Sequence, residues 1–190
     1  MALIFVTGNR HKFEEISEIV ANRGIKLEMR DLPCEEIQAD EVEEIACQSA
    51  VDACNLLSKP CFVEDAGLFV SALRGFPGPY SSYVFRTIGN DGLLKLMVNT
   101  KNRRAEFRSA ISYCEPNSKT MIFTGNVVGK IASKTRGSHG FGFDPIFIPS
   151  EGDGRTFAEM TIAEKSAISH RARAGKKFLK WYTLMKKAQR

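Results

Sequence analysis

Two strand-like stretches lie back to back in the second half of the chain, and they constrain the fold more than any other feature. Ala105, Phe107, Ile111 and Tyr113 alternate along one stretch, Glu115-Pro-Asn-Ser118 supplies a turn, and a second stretch runs from Thr120 to Ile131. Alternation around a turn of this composition specifies an antiparallel hairpin. The first half reads differently. Ala2–Thr7 is apolar enough for a buried strand, Gly8-Asn9 interrupts it, and Phe13, Ile16 and Val20 then recur at helical spacing as far as Gly24. Val42, Ile45, Ala46, Ser49, Ala50, Ala53 and Leu57 mark a second amphipathic helix. Strand–helix units joined to a long hairpin require a mixed sheet, so the expected class is α/β with a long mixed β-sheet.

The remaining segments are shorter. Cys61–Val63 reads as a short strand ending at Glu64-Asp65, Leu68–Ser71 as another, and residues 75–79 as a turn-rich loop. Asn90 opens a helix through Leu93, Leu94 and Met97. A glycine-rich stretch at 137–142 leads through Asp144-Pro145 to a strand over Ile146–Ile148. Thr161-x-x-Glu164 fits a capping box, a break falls near Ser169, and Ala174, Phe178, Trp181 and Met185 form the buried stripe of a last helix.

With 190 residues and 43% hydrophobic content, the chain can bury a substantial core, and it is expected to form a single domain over residues 1–190. No apolar run reaches the ~18 residues that span a membrane. The short apolar start lacks the basic flank of a signal peptide, so no membrane association is expected. Five cysteines, an odd number without a CxxC pair, suit reduced thiols in the cytoplasm rather than a zinc site. The net charge of +5 is unevenly spread: residues 28–45 are acidic and the last helix is basic. This distribution admits a polyanionic partner, either a nucleotide or a nucleic acid.

Four segments could carry chemistry. Thr7, Gly8, Asn9, Arg10, His11 and Lys12 lie where a strand becomes a helix. Exposed N–H groups and the positive end of the helix dipole attract phosphate there, although the spacing is not that of a Walker loop. Carboxylates at Glu36, Glu64 and Asp65 could hold Mg²⁺, which takes one or two of them together with waters and phosphate oxygens. Ala66-Gly67 after Asp65 allows close backbone approach. Phe141, Gly142, Phe143 and Asp144 offer an aromatic face for a base and a carboxylate beside it. Lys165, His170 and Arg171 could hold a phosphate or donate to a base carbonyl. Each segment also has a plainer reading: a strand–helix turn, solvated acids, phenylalanines anchoring a loop, and a core histidine.

Taken together and in order, these segments resemble the inosine triphosphate pyrophosphatase family. The resemblance runs nearly end to end, through TGNRHKFEEI at 7–16, DLPCEEIQAD at 31–40, FVEDAGLFVSALRGFPGPYSSYV at 62–84, FGFDPIFIP at 141–149 and TFAEMTIAEKSAISHRARA at 156–174. It implies two α/β lobes flanking a nucleotide-binding cleft, a homodimer, and Mg²⁺-dependent (or Mn²⁺-dependent) cleavage of nonstandard purine nucleoside triphosphates to a monophosphate and diphosphate. By the same resemblance, Thr7 to Lys12 would bind the triphosphate, and Glu36 and Asp65 the metal. Asp65 would also act as base, and Ala66 would contact substrate. Phe141 would stack on the base, with Gly142, Phe143 and Asp144 completing that wall. Lys165 would close the pocket with His170 and Arg171, which would read the 6-oxo edge of hypoxanthine or xanthine. Ser49 and Ser82 stand where some relatives carry lysines. A related pyrophosphatase acting on pyrimidine nucleotides is the rival enzymatic reading. A nucleic-acid-binding module is the other rival, and the apolar stripe Phe178, Trp181 and Met185 opposes it.

Overall fold

Strand β1 (Leu3–Val6) begins a sheet whose first layers follow from alternation. Leu3 and Phe5 point to one face and Ile4 and Val6 to the other, and each face is covered by a different helix. In the computed structural model, which describes residues 2–35 and 37–188, β1 is followed by helix α1 (Arg10–Val20), strand β2 (Leu27–Arg30) and helix α2 (Val42–Leu57). Gly24, with φ +63°, ends the turn after α1 where a residue with a Cβ would be strained. Next come β3 (Cys61–Val70), a two-residue strand β4 (Pro77–Gly78), and helices α3 (Ser81–Thr87) and α4 (Gly89–Leu96). The hairpin is formed by β5 (Arg104–Cys114) and β6 (Met121–Ile131). Strand β7 (Phe147–Pro149) and helices α5 (Ile162–Ile168) and α6 (His170–Ala188) complete the chain.

The sheet order is β2-β1-β3-β5-β6-β7, with β4 paired to β3. β1 runs parallel to β2 and β3, and every other pairing is antiparallel, so the sheet is mixed. On one face Phe5, Phe62, Ile111 and Tyr113 pack against Ile16 and Val20 of α1 and Ala174, Phe178 and Leu179 of α6. On the other, Val6, Cys61, Val63 and Ala110 meet the alanine-rich stripe of α2. A third apolar cluster lies towards the far ends of the long strands, where Phe107, Val127, Phe147 and Phe157 join Leu93, Met97 and Phe143. Among the described residues no helix is long and apolar enough to cross a membrane.

Two local expectations need correction. The strands read as Cys61–Val63 and Leu68–Ser71 are one strand, β3, because all ten residues pair in register with β5, from Cys61↔Cys114 to Val70↔Ala105. A continuous partner outweighs the interruption that Glu-Asp-Ala-Gly makes in the apolar pattern. The 75–79 loop is also more ordered than its composition implies, since Pro77-Gly78 pairs with Leu68-Phe69. Gly67 makes that approach possible: a Cβ there would sit 2.3 Å from the Gly78 carbonyl oxygen. Helix α3 is signalled only weakly in the sequence, and tertiary contacts hold it. The Ser81 hydroxyl accepts from the Leu68 N–H and donates to the Gly78 carbonyl, both at 2.7 Å, and Val84 is buried beneath.

Candidate functional site

The cleft follows from unequal strand lengths. β1 stops at Val6, and its last pairing with β3 is Phe5↔Phe62, so beyond Val63 one edge of β3 has lost its parallel neighbour. The chain turns into α1 at that point, and the open edge of β3 faces Lys12, whose Nζ donates to the Glu64 carbonyl oxygen at 2.9 Å. A cavity of about 930 Å³ opens there, beyond the carboxyl end of β1. Its walls include Thr7, Gly8, Asn9, His11, Lys12, Glu64, Asp65, Ala66, Phe141, Gly142, Phe143, Asp144, Lys165, His170 and Arg171. Four segments far apart in sequence are therefore brought to one cleft. Arg10 is the exception, being exposed and outside the lining. Glu36 lies outside the described residues.

The first turn of α1 is already capped. Asn9 Oδ1 accepts from the N–H groups of His11 and Lys12 at 3.0 and 3.2 Å, and the Asn9 N–H donates to Thr7 Oγ1 at 3.1 Å. These helix-start donors are thus satisfied within the loop, and the positive charge that the loop presents is the Lys12 ammonium.

Beneath the cleft lies a buried charge network that begins with a residue the motifs did not reveal. Glu15, 5% exposed, accepts from Lys165 Nζ and from Arg171 Nη1, each at 2.6 Å. Lys165 also donates to Asp144 Oδ2 at 2.5 Å, and Arg171 Nε lies 3.0 Å from Glu64 Oε1. Glu64 accepts in addition from the Ser109 hydroxyl at 2.6 Å, and its other oxygen is 3.1 Å from Lys12 Nζ. Burial alone would raise the pKa of Glu15, but the charges of Arg171 and Lys165 outweigh it and hold the group at about 2. Glu64 is likewise held at about 2, with burial opposed by Arg171, Lys12 and the Ser109 hydroxyl. For Asp144 burial prevails over Lys165, and its pKa is raised.

Asp65 is placed differently. Its side chain is 19% exposed towards the cleft, and Oδ1 is 3.9 Å from Lys12 Nζ. Among the described residues no three His, Cys, Asp or Glu side chains are grouped closely enough to hold a metal ion on their own. Mg²⁺ does not require such a group, because waters and substrate phosphates complete its octahedron. A cleft-facing carboxylate where the edge of β3 opens can supply one oxygen ligand to it, while the Lys12 ammonium beside it suits phosphate oxygens.

The wall formed by residues 141–144 is tightly held. The Phe141 N–H donates to Asp144 Oδ2 at 2.9 Å, and Asn90 Nδ2 donates to the Gly142 carbonyl at 3.2 Å. The Phe141 ring lies parallel to that of His11, with centroids 5.3 Å apart. Lys165 Nζ and Arg171 Cζ lie 5.2 and 5.4 Å from the Phe141 ring centre. His170 stacks on Phe107 at 4.6 Å, and its buried Nδ1 has no hydrogen-bond partner among the described residues.

Burial, then the charges of Arg171 and Lys165, lower the pKa of His170 well below the usual 6.5. The folded protein therefore keeps this imidazole neutral while the unfolded chain protonates it near pH 6.5. Below that pH the unfolded state binds more protons, so stability falls as pH falls, by about 1.4 kcal/mol per pH unit from this group. Chemical denaturation between pH 7.5 and 5.5 spans the onset of this slope, a loss of about 1.4 kcal/mol in total from this group, and His170→Gln should remove that loss. An unchanged slope in the variant would exclude His170 as its source.

The sequence profile described as the Ham1 family matches residues 3–181. The dITP/XTP pyrophosphatase of Methanopyrus kandleri is 51% identical over 182 residues, covering 96% of each chain. That of Thermococcus kodakarensis is 51% identical over 181 residues, covering 95% of this chain and 97% of its own. Among solved structures, a HAM1 protein from Coxiella burnetii superposes with a TM-score of 0.83 at 28% identity, covering 96% of this chain and 99% of that one. The Staphylococcus aureus Ham1 protein gives 0.79 at 30% identity, covering 96% and 98%.

Proposed function

This chain belongs to the Ham1 family, and from that premise we propose that it hydrolyses nonstandard purine nucleoside triphosphates of the dITP, ITP and XTP class to the monophosphate and diphosphate. The observation that carries the reading is the meeting, in one cleft, of a cleft-facing Asp65 beside Lys12 with an aromatic wall and buried donors at the opposite side. Water attacks the α-phosphorus, the bond from phosphorus to the bridging oxygen breaks, and the electron pair leaves with diphosphate. Asp65 accepts the proton of the attacking water. Asp65 and Glu36 would hold Mg²⁺, or Mn²⁺, which supplies positive charge to the phosphate oxygens. Lys12 and the chain from Thr7 to His11 position the triphosphate, and Ala66 offers backbone at the open edge of β3. Arg10, exposed outside the lining, has the weakest claim in that loop.

Phe141 stacks on the base, within a wall completed by Gly142, Phe143 and Asp144. Arg171 and His170 then favour a 6-oxo acceptor, supported by Lys165. Adenine puts a donor at that position and would leave buried donors unpaired. We read the chain as one domain of two lobes, the apolar cluster around Phe107 serving one and those around Phe62 and α2 the other. The exposed apolar side chains Tyr80, Tyr83, Phe85 and Ile88 suit a homodimer contact. Nucleic acid is not assigned as a partner. The stripe of α6 packs into the core, while Lys176 and Lys177 donate to the carbonyls of Ala167 and Thr124. Five free cysteines accord with the reducing cytoplasm.

Diphosphate release measured across dITP, ITP, XTP, dUTP, TTP, ATP and GTP, with and without Mg²⁺, tests the reading. The expected result is metal-dependent release with the first three far ahead of ATP. Preference for dUTP or TTP would overturn the base assignment.

A further inference from the structure

The cleft contains four lysines and arginines among the described residues: Lys12, Arg86, Lys165 and Arg171. Three of them are committed to carboxylates. Lys12 is 3.1 Å from Glu64 and 3.9 Å from Asp65, Lys165 lies between Glu15 and Asp144, and Arg171 lies between Glu15 and Glu64. The acids facing these three cations are Glu15, Glu64, Asp65 and Asp144, so this paired set carries no surplus positive charge. A triphosphate entering the cleft needs positive charge that the network does not hold in reserve.

Arg86 is different. It projects from α3 into the lining, and among the described residues it makes no ion pair or hydrogen bond. The wall that bears it is fixed. Ser81 ties α3 to β3 and β4, Val84 is buried, and Phe85 meets Phe143 edge-on at 5.6 Å between ring centres. Arg86 therefore sits on the same rigid wall as the loop that bears Phe141, with its whole planar donor fork unspent. Such a fork matches phosphate oxygens in pairs.

We propose that Arg86 binds the β- and γ-phosphates, the part of the substrate that departs as diphosphate, and stabilises the charge that develops on it. The proposal rests on the hydrolytic reading above. Ser82, one helical turn earlier, also lines the cleft, so a cation moved there would face the same space.

The test compares wild type with Arg86→Ala, Arg86→Lys and the double variant Ser82→Lys/Arg86→Ala. Calorimetric titration with inorganic diphosphate and, separately, with inosine monophosphate, both in Mg²⁺, reads the two ends of the site. Arg86→Ala should weaken diphosphate binding roughly 10- to 100-fold, the range for charge-assisted hydrogen bonds, and leave the monophosphate affinity within about two-fold. Arg86→Lys should fall between, and Ser82→Lys should restore part of the loss. Equal diphosphate affinity in wild type and Arg86→Ala would overturn the assignment. So would a parallel loss for the monophosphate, because that would indicate a distorted cleft. A wild-type protein that releases no diphosphate from any nucleoside triphosphate would overturn the parent reading instead, so the two failures are distinguishable.

Discussion

Asp65→Asn should lower the turnover of XTP by about 10³-fold, the scale of losing a general base, while the protein unfolds at nearly its wild-type temperature. Both halves of the expectation follow from where the residue sits. Its backbone is one rung of the β3–β5 ladder, paired with Ala110, and that pairing does not depend on the side chain. Its carboxylate faces the cleft at the rim of the charge network, 3.9 Å from Lys12, while the buried Lys165 and Arg171 are held by Glu15, Glu64 and Asp144 without it. Asparagine keeps the shape but neither accepts a proton from water nor attracts a metal ion as strongly. Initial rates of diphosphate release, together with a thermal melt, check the prediction. Full activity would remove Asp65 from the chemistry.

Glu15→Ala is expected to act on stability first. The substitution leaves Lys165 and Arg171 buried with one carboxylate each, Asp144 and Glu64 respectively. Breaking one side of a buried ionic group costs about 3–5 kcal/mol. The lowering of Glu15 from 4.5 to about 2 corresponds to roughly 3 kcal/mol, of the same order. For a domain of this size that should depress the melting temperature by roughly 10 °C. The pH dependence has a definite sign. A depressed folded pKa stabilises above the unfolded value near 4.5, and the contribution disappears as pH falls towards 2. The gap between wild type and Glu15→Ala should therefore be full at pH 7 and narrow below pH 4.5. Because Arg171 loses one of its two anchors, discrimination between ITP and ATP should relax as well. A melting temperature equal to wild type at pH 7 would show that Glu15 does not organise the network.

Much of this architecture is legible in the residues because local and tertiary preferences agree. The α2 stripe, the β5–β6 hairpin and the Thr161-Glu164 capping box all occur where spacing and composition place them. Legibility is lost where a neighbour decides the outcome. β3 runs unbroken through Glu64-Asp65-Ala66-Gly67 because β5 pairs with every residue of it, and α3 exists because Ser81 is bonded on two sides. Glu15 shows the same limit within the site. In sequence it is an acid in an acidic helix, and its place three residues after Lys12, on one helical face, is the only local sign of its role. The partners that make it central, Lys165 and Arg171, are 150 and 156 residues away. Arg86 is hidden for a related reason: the resemblance points to Ser82 in α3, but nothing in the residues says that Arg86, one turn later, faces the same cleft.

The central claim is attack of water at the α-phosphorus of a nonstandard purine triphosphate, and isotope placement tests it most directly. XTP hydrolysed in ¹⁸O-enriched water with Mg²⁺ should yield xanthosine monophosphate carrying one ¹⁸O and unlabelled diphosphate, as read by mass spectrometry. Label in the diphosphate, or products consisting of the nucleoside diphosphate and inorganic phosphate, would contradict it.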